Sequence, residues 1–79
     1  MVEGKLFEKV RSIIAKQLGL DEDGISMSTS FEDLGVDSLD LFRIVIEIEE
    51  EFGIQVEEPE TISNVENAVS IVETKMKKL

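Results

Sequence analysis

Seventy-nine residues leave room for one domain and one thin core. Eighteen acidic against eight basic residues give a net charge of −10, a field that repels nucleic acid and anionic membrane surfaces and attracts basic protein surfaces. With no Cys and no His, disulfides, thiolate and imidazole catalysis and the usual zinc ligands are excluded, and no apolar run approaches the ~20 residues of a membrane span.

The first helix is expected from about Val2 to Leu18. Leu6, Phe7, Val10, Ile13, Ile14 and Leu18 recur every three or four residues, with Lys5, Lys9, Arg11 and Lys16 among the polar positions. This charged, amphipathic opening is no secretory leader, so a cytoplasmic location is the default. Gly19 should stop the helix. A long loop follows over residues 19 to 36, rich in Asp, Ser, Thr and Gly. Leu20, Ile25, Phe31, Leu34 and Val36 should pin it to the core. Thr29 with Glu32 reads as a capping box.

The second helix is expected from Ser38 to about Glu51, capped by Asp37 or Ser38 and ended by Gly53. Leu39, Leu41, Phe42, Ile44, Val45, Ile46, Ile48 and Phe52 make it apolar over most of its circumference. Such a helix packs on several neighbours. Asp40, Arg43, Glu47 and Glu50 form its narrow polar stripe. Pro59 permits a short helical turn near Pro59 to Ile62. Ser63 or Asn64 should cap the last helix, with Ser63 and Glu66 as a capping box. Val65, Ala68, Val69, Val72 and Met76 share one face of that helix, and Lys75, Lys77 and Lys78 suit its C-terminus. The expected core is Phe7, Val10, Ile14, Leu39, Phe42, Val45, Ile48, Phe52, Val69 and Val72.

Charge is distributed unevenly along this plan. Residues 17 to 74 hold sixteen acids and one base, Arg43. The other seven bases lie towards the ends.

Chemistry concentrates in Phe31-Glu32-Asp33-Leu34-Gly35-Val36-Asp37-Ser38-Leu39-Asp40. A hydroxyl stands there in the first turn of a helix, where unpaired N–H groups and a positive dipole end suit a phosphate. Ser38 as a simple helix cap is the competing account. Gly-x-Asp-Ser-Leu-Asp at the start of a second helix resembles the attachment motif of the acyl carrier protein family. The resemblance extends to Phe31-x-x-Leu34-Gly35, to Glu49-Glu50-Glu51-Phe52-Gly53-Ile54 and to the apolar helix from Val65 to Val72.

That resemblance implies an all-α four-helix bundle of acyl-carrier type over residues 1–79, with a short third helix and the long loop after the first. It implies that a phosphopantetheinyl transferase moves 4′-phosphopantetheine from coenzyme A to Ser38, between Asp37 and Leu39. The arm then carries acyl groups as thioesters, and the chain itself catalyses nothing. Asp40, Arg43, Ile46, Glu47, Glu49 and Glu50 would contact acyl-transferring and acyl-modifying enzymes with basic docking patches. Ile44, Ile48 and Ile62 would wall the acyl cavity, so truncation should cost more stability at Phe42 than at Ile44. A carrier of this kind is expected to be a monomer, with no membrane insertion and no bound metal.

Three features depart from the family pattern. Arg43 stands where fatty-acid carriers usually have an acid, Glu57 replaces a frequent proline, and the segment from Glu57 to Val65 is about two residues short. Primary fatty-acid synthesis and a specialised lipid, polyketide or aminoacyl pathway therefore both remain open. Two other readings are weaker. Asp21-x-Asp23 with Glu32 resembles a calcium loop but has Ile25 and Ser26 where a ligand and a glycine are required. Asp37 and Asp40 lack the partner base that acid–base catalysis needs. A reading of a different class is an acidic helical adaptor in which Ser38 stays unmodified.

Overall fold

The computed structural model describes residues 2–77. Its elements are α1 (Val2–Leu18), α2 (Ser38–Phe52) and α3 (Val65–Lys77), with single 3₁₀ turns at Glu22–Gly24 and Pro59–Thr61. There is no strand among the described residues, only an isolated antiparallel bridge between Ser30 and Asn64. Lys78, expected at the C-terminus of the last helix, lies outside the described residues.

α1 packs against both α2 and α3, while α2 and α3 meet over a smaller area. The core is built from helical spacings of three and four. Leu6, Val10 and Ile14 come from α1, Ile44, Val45 and Ile48 from α2, and Val65, Ala68, Val69 and Val72 from α3. No charged or polar residue is buried with them among the described residues. Each fully buried aliphatic side chain contributes roughly 1.5–3 kcal/mol.

α2 ends at Gly53, whose φ of 65° requires the left-handed region that glycine enters without strain. The Ile54 N–H reaches back to the Glu49 carbonyl at 3.2 Å, closing the helix end.

The long loop is anchored as expected at Ile25 and Phe31, which are buried; Leu34 and Val36 are half-buried. Leu20 instead lies exposed. Backbone bonds add to the anchorage. The Val65 and Glu66 N–H groups donate to the Thr29 and Met27 carbonyls, and the Phe31 N–H donates to the Ser63 carbonyl. The free donors at the start of α3 are thus satisfied by the loop that precedes α2.

Three expectations need correction. Leu39 and Phe42 are not core residues: they are 59% and 51% exposed. No element among the described residues packs on that side of α2, and an apolar residue's identity does not say which side is left uncovered. Phe7 and Phe52 are half-buried at the edge of the core. Ile44, by contrast, is 1% exposed, so burial argues for the opposite stability order to the one expected for Phe42 and Ile44.

Neither capping box forms as expected. The Thr29 hydroxyl accepts from Ser26 N–H, and Ser30, not Thr29, accepts from Glu32 N–H. At α3 the pairing is between asparagines. Asn64 Oδ1 accepts from Asn67 N–H at 2.8 Å, and Asn67 Oδ1 accepts from the Ser63 N–H and hydroxyl. An Asn at the cap is as good an acceptor as Ser, and its amide leaves Glu66 unused.

Candidate functional site

A turn over residues 31–35 delivers the chain to α2. Phe31 is buried under it, and the Val36 N–H closes onto the Phe31 carbonyl at 3.0 Å. Gly35 takes a φ of 73°, which a side-chain-bearing residue adopts only with strain. Asp37 is then extended, and Ser38 opens the helix.

The cap is Asp37. Its Oδ1 accepts from the Asp40 N–H at 2.8 Å, and its carbonyl accepts the first helical bond, from Leu41 N–H at 2.9 Å. The Ser38 side chain is exposed and takes no part in this cap. Its hydroxyl therefore stands free at the positive end of α2, beside the Ser38 and Leu39 N–H groups that have no intrahelical acceptor.

Ser38 lies on the rim of a depression of about 280 Å³. Phe31, Val36, Leu41 and Ile62 supply its apolar lining, and Asp37 and Ser63 share the rim. Ile62 thus touches the space next to Ser38. Ile44 and Ile48 do not; they are closed inside the core at 1% and 2% exposure.

The residues expected to meet partners divide into two groups. Arg43, Ile46, Glu47 and Glu50 are exposed on α2, with Asp40 half-buried at its start. Glu49 is different. It is half-buried, and its Oε2 accepts from Val56 N–H at 2.8 Å, tying the segment after α2 to the helix. Its carboxylate is committed within the chain.

The spacing rules missed an apolar ridge. Leu39, Phe42 and Ile46, three and four residues apart, stand exposed along one side of α2. Sequence alone held no signal for it: on a helical projection the buried Ile44 lies nearer to the polar stripe of Asp40, Arg43, Glu47 and Glu50 than the exposed Phe42 does. As for the calcium-loop reading, no group of three or more acidic, His or Cys residues is placed to hold a metal among the described residues.

Comparison with known proteins agrees with this geometry. The family described as phosphopantetheine attachment site matches residues 8–73. The acyl carrier protein of Streptococcus thermophilus is 44% identical over 72 residues, covering 91% of this chain and 97% of that protein. That of Streptococcus pneumoniae is 42% identical over the same extent. The crystal structure of an acyl carrier protein from Thermotoga maritima superposes with a TM-score of 0.86 at 30% identity, covering 99% of this chain and 94% of that one.

Proposed function

This chain belongs to the acyl carrier protein family, whose prosthetic group is phosphopantetheine, and on that footing we propose that the Ser38 hydroxyl is the oxygen that carries the 4′-phosphopantetheine arm. One observation carries the assignment: Asp37 makes the helix cap, so the Ser38 hydroxyl is left over for another use. A phosphodiester on it would sit at the N-terminus of α2, where the helix field favours an anion. Asp37 and Leu39 flank it and present it to the transferase. When attached, the arm supplies a terminal thiol that holds an acyl group as a thioester.

The remaining residues serve transport. Ile62, on the lining beside Ser38, is the first wall that an acyl chain meets, with Ile44 and Ile48 behind it. The exposed ridge Leu39, Phe42 and Ile46, with Asp40, Arg43, Glu47 and Glu50 beside it, is the face that acyl-handling enzymes grip. Pro59–Thr61 takes the place of a short third helix in a four-helix carrier bundle. The chain works as one carrier domain, a cytoplasmic monomer that catalyses nothing itself, in primary fatty-acid synthesis or in a related specialised lipid or polyketide pathway.

Intact mass after incubation with coenzyme A and a phosphopantetheinyl transferase tests the assignment. Wild type should gain one arm and Ser38→Ala none. Ser38→Thr should load poorly, because the added methyl crowds the reacting oxygen, while circular dichroism stays unchanged. Modification that persists in Ser38→Ala overturns the site. A wild-type chain that never loads returns the protein to the adaptor reading.

A further inference from the structure

On the reading of α2 as the docking helix, we propose that Arg43 is its specificity-determining residue, addressing a partner carboxylate set within an otherwise basic docking patch.

Position comes first. At 3.6 residues per turn, Leu39 and Asp40 lie one turn before Arg43, and Ile46 and Glu47 one turn after it. Glu50 lies two turns on. Arg43 therefore stands mid-face, inside the acidic stripe, with Glu50 towards the apolar ridge and Asp40 and Glu47 on the other side.

Its charge is also solitary. Arg43 is the one base among residues 17 to 74, which hold sixteen acids. Bases nearer the ends are largely engaged by that acidic body. Lys9 meets Glu51 at 3.7 Å, Arg11 meets Glu22 at 3.4 Å, Lys75 meets Glu57 at 3.5 Å and Lys77 meets Glu73 at 3.7 Å. Arg43 has Asp40 and Glu47 at the spacings where helical ion pairs form. Yet no ion pair within 4.0 Å includes it among the described residues. Arg43 is exposed, and its guanidinium carries five N–H donors.

A uniformly basic patch laid on this face would set a cation against Arg43 at its centre. Like charges brought together across an interface discriminate strongly against a wrong partner. An Asp or Glu there would take a two-point bond from the guanidinium. Basic groups around it would meet Asp40, Glu47 and Glu50, and an apolar groove would take Leu39, Phe42 and Ile46. The complementary occupant is thus an acyl-handling enzyme surface with an acid at its middle.

A charge-swap experiment tests this on the arm-loaded protein. The probe is a malonyl transacylase whose docking patch is lined by Lys and Arg, used as wild type and with the patch residue opposite position 43 changed to Glu. Loading is confirmed first by mass, so failure to load counts against the carrier reading and not against Arg43. With the basic enzyme, Arg43→Glu should raise kcat/KM by about tenfold over the unmodified carrier. With the acid-bearing enzyme the order should invert. Lys16→Glu, the same change in net charge on α1, should leave both values within about twofold, since the effect is local. Equal kcat/KM for Arg43 and Arg43→Glu carriers on both enzymes overturns the proposal. So does an equal gain from Lys16→Glu, which would assign the effect to the net charge of the molecule.

Discussion

Ile44 and Phe42 lie two positions apart on α2 and have opposite fates. Ile44 is enclosed by the core, whereas Phe42 keeps half its surface in water. Truncating Ile44 to Ala removes buried methyl groups and leaves a void, at a cost of about 2–5 kcal/mol. The same truncation at Phe42 gives up only partial burial and should cost about 1 kcal/mol or less. Urea titrations of the two variants check this order; an equal loss would mean that the Phe42 ring packs inward in solution. Sequence reasoning reached the reverse order because both residues are apolar on a helix that is apolar nearly all round. Periodicity finds such a helix but cannot choose which of its sides lacks a neighbour. The start of α2 at Ser38 was legible for the opposite reason, because the local string itself encodes it.

At the scale of elements, helix bounds were legible where glycine marks them. Gly19 and Gly53 close α1 and α2 where the sequence says they should. Caps were less legible, because adjacent polar residues compete for one acceptor position. Ser30 takes the role expected of Thr29, and Asn64 with Asn67 replaces Ser63 with Glu66. Only the final backbone path decides which side chain reaches the free N–H. The cap on α2 matters most, since it both starts the helix and frees the Ser38 hydroxyl. Asp37→Ala removes the acceptor of the Asp40 N–H and should cost about 0.5–2 kcal/mol. Asp37→Asn keeps an acceptor and should cost clearly less, losing only the carboxylate's interaction with the helix dipole, about 0.3–1 kcal/mol. Thermal melts of the two variants separate the hydrogen bond from the charge. If Asn is as damaging as Ala, the charge and not the bond starts α2.

For the whole molecule, charge is the dominant long-range term. Sixteen acids and a single base fill residues 17 to 74, and the molecule measures only 32 × 26 × 18 Å. At low salt the screening length approaches 30 Å, so most of these charges feel one another across the fold. The four ion pairs among the described residues oppose that repulsion, but they are largely solvent-exposed. Pairs of that kind contribute about 0–1 kcal/mol each. Salt weakens both effects. The repulsion involves many more pairs at longer range, so its loss should outweigh the loss of the four attractions. Stability should therefore increase with sodium chloride, and increase further with millimolar magnesium at matched ionic strength, because divalent ions collect where carboxylates crowd. A gain of about 1 kcal/mol would raise Tm by roughly 4–8 °C in a domain of this size. The core has little reserve with which to mask such a change. Scanning calorimetry across a salt series gives the answer. A flat curve would show that the acids are spaced widely enough to be neutral towards folding, and a falling one would show that the four pairs outweigh the repulsion.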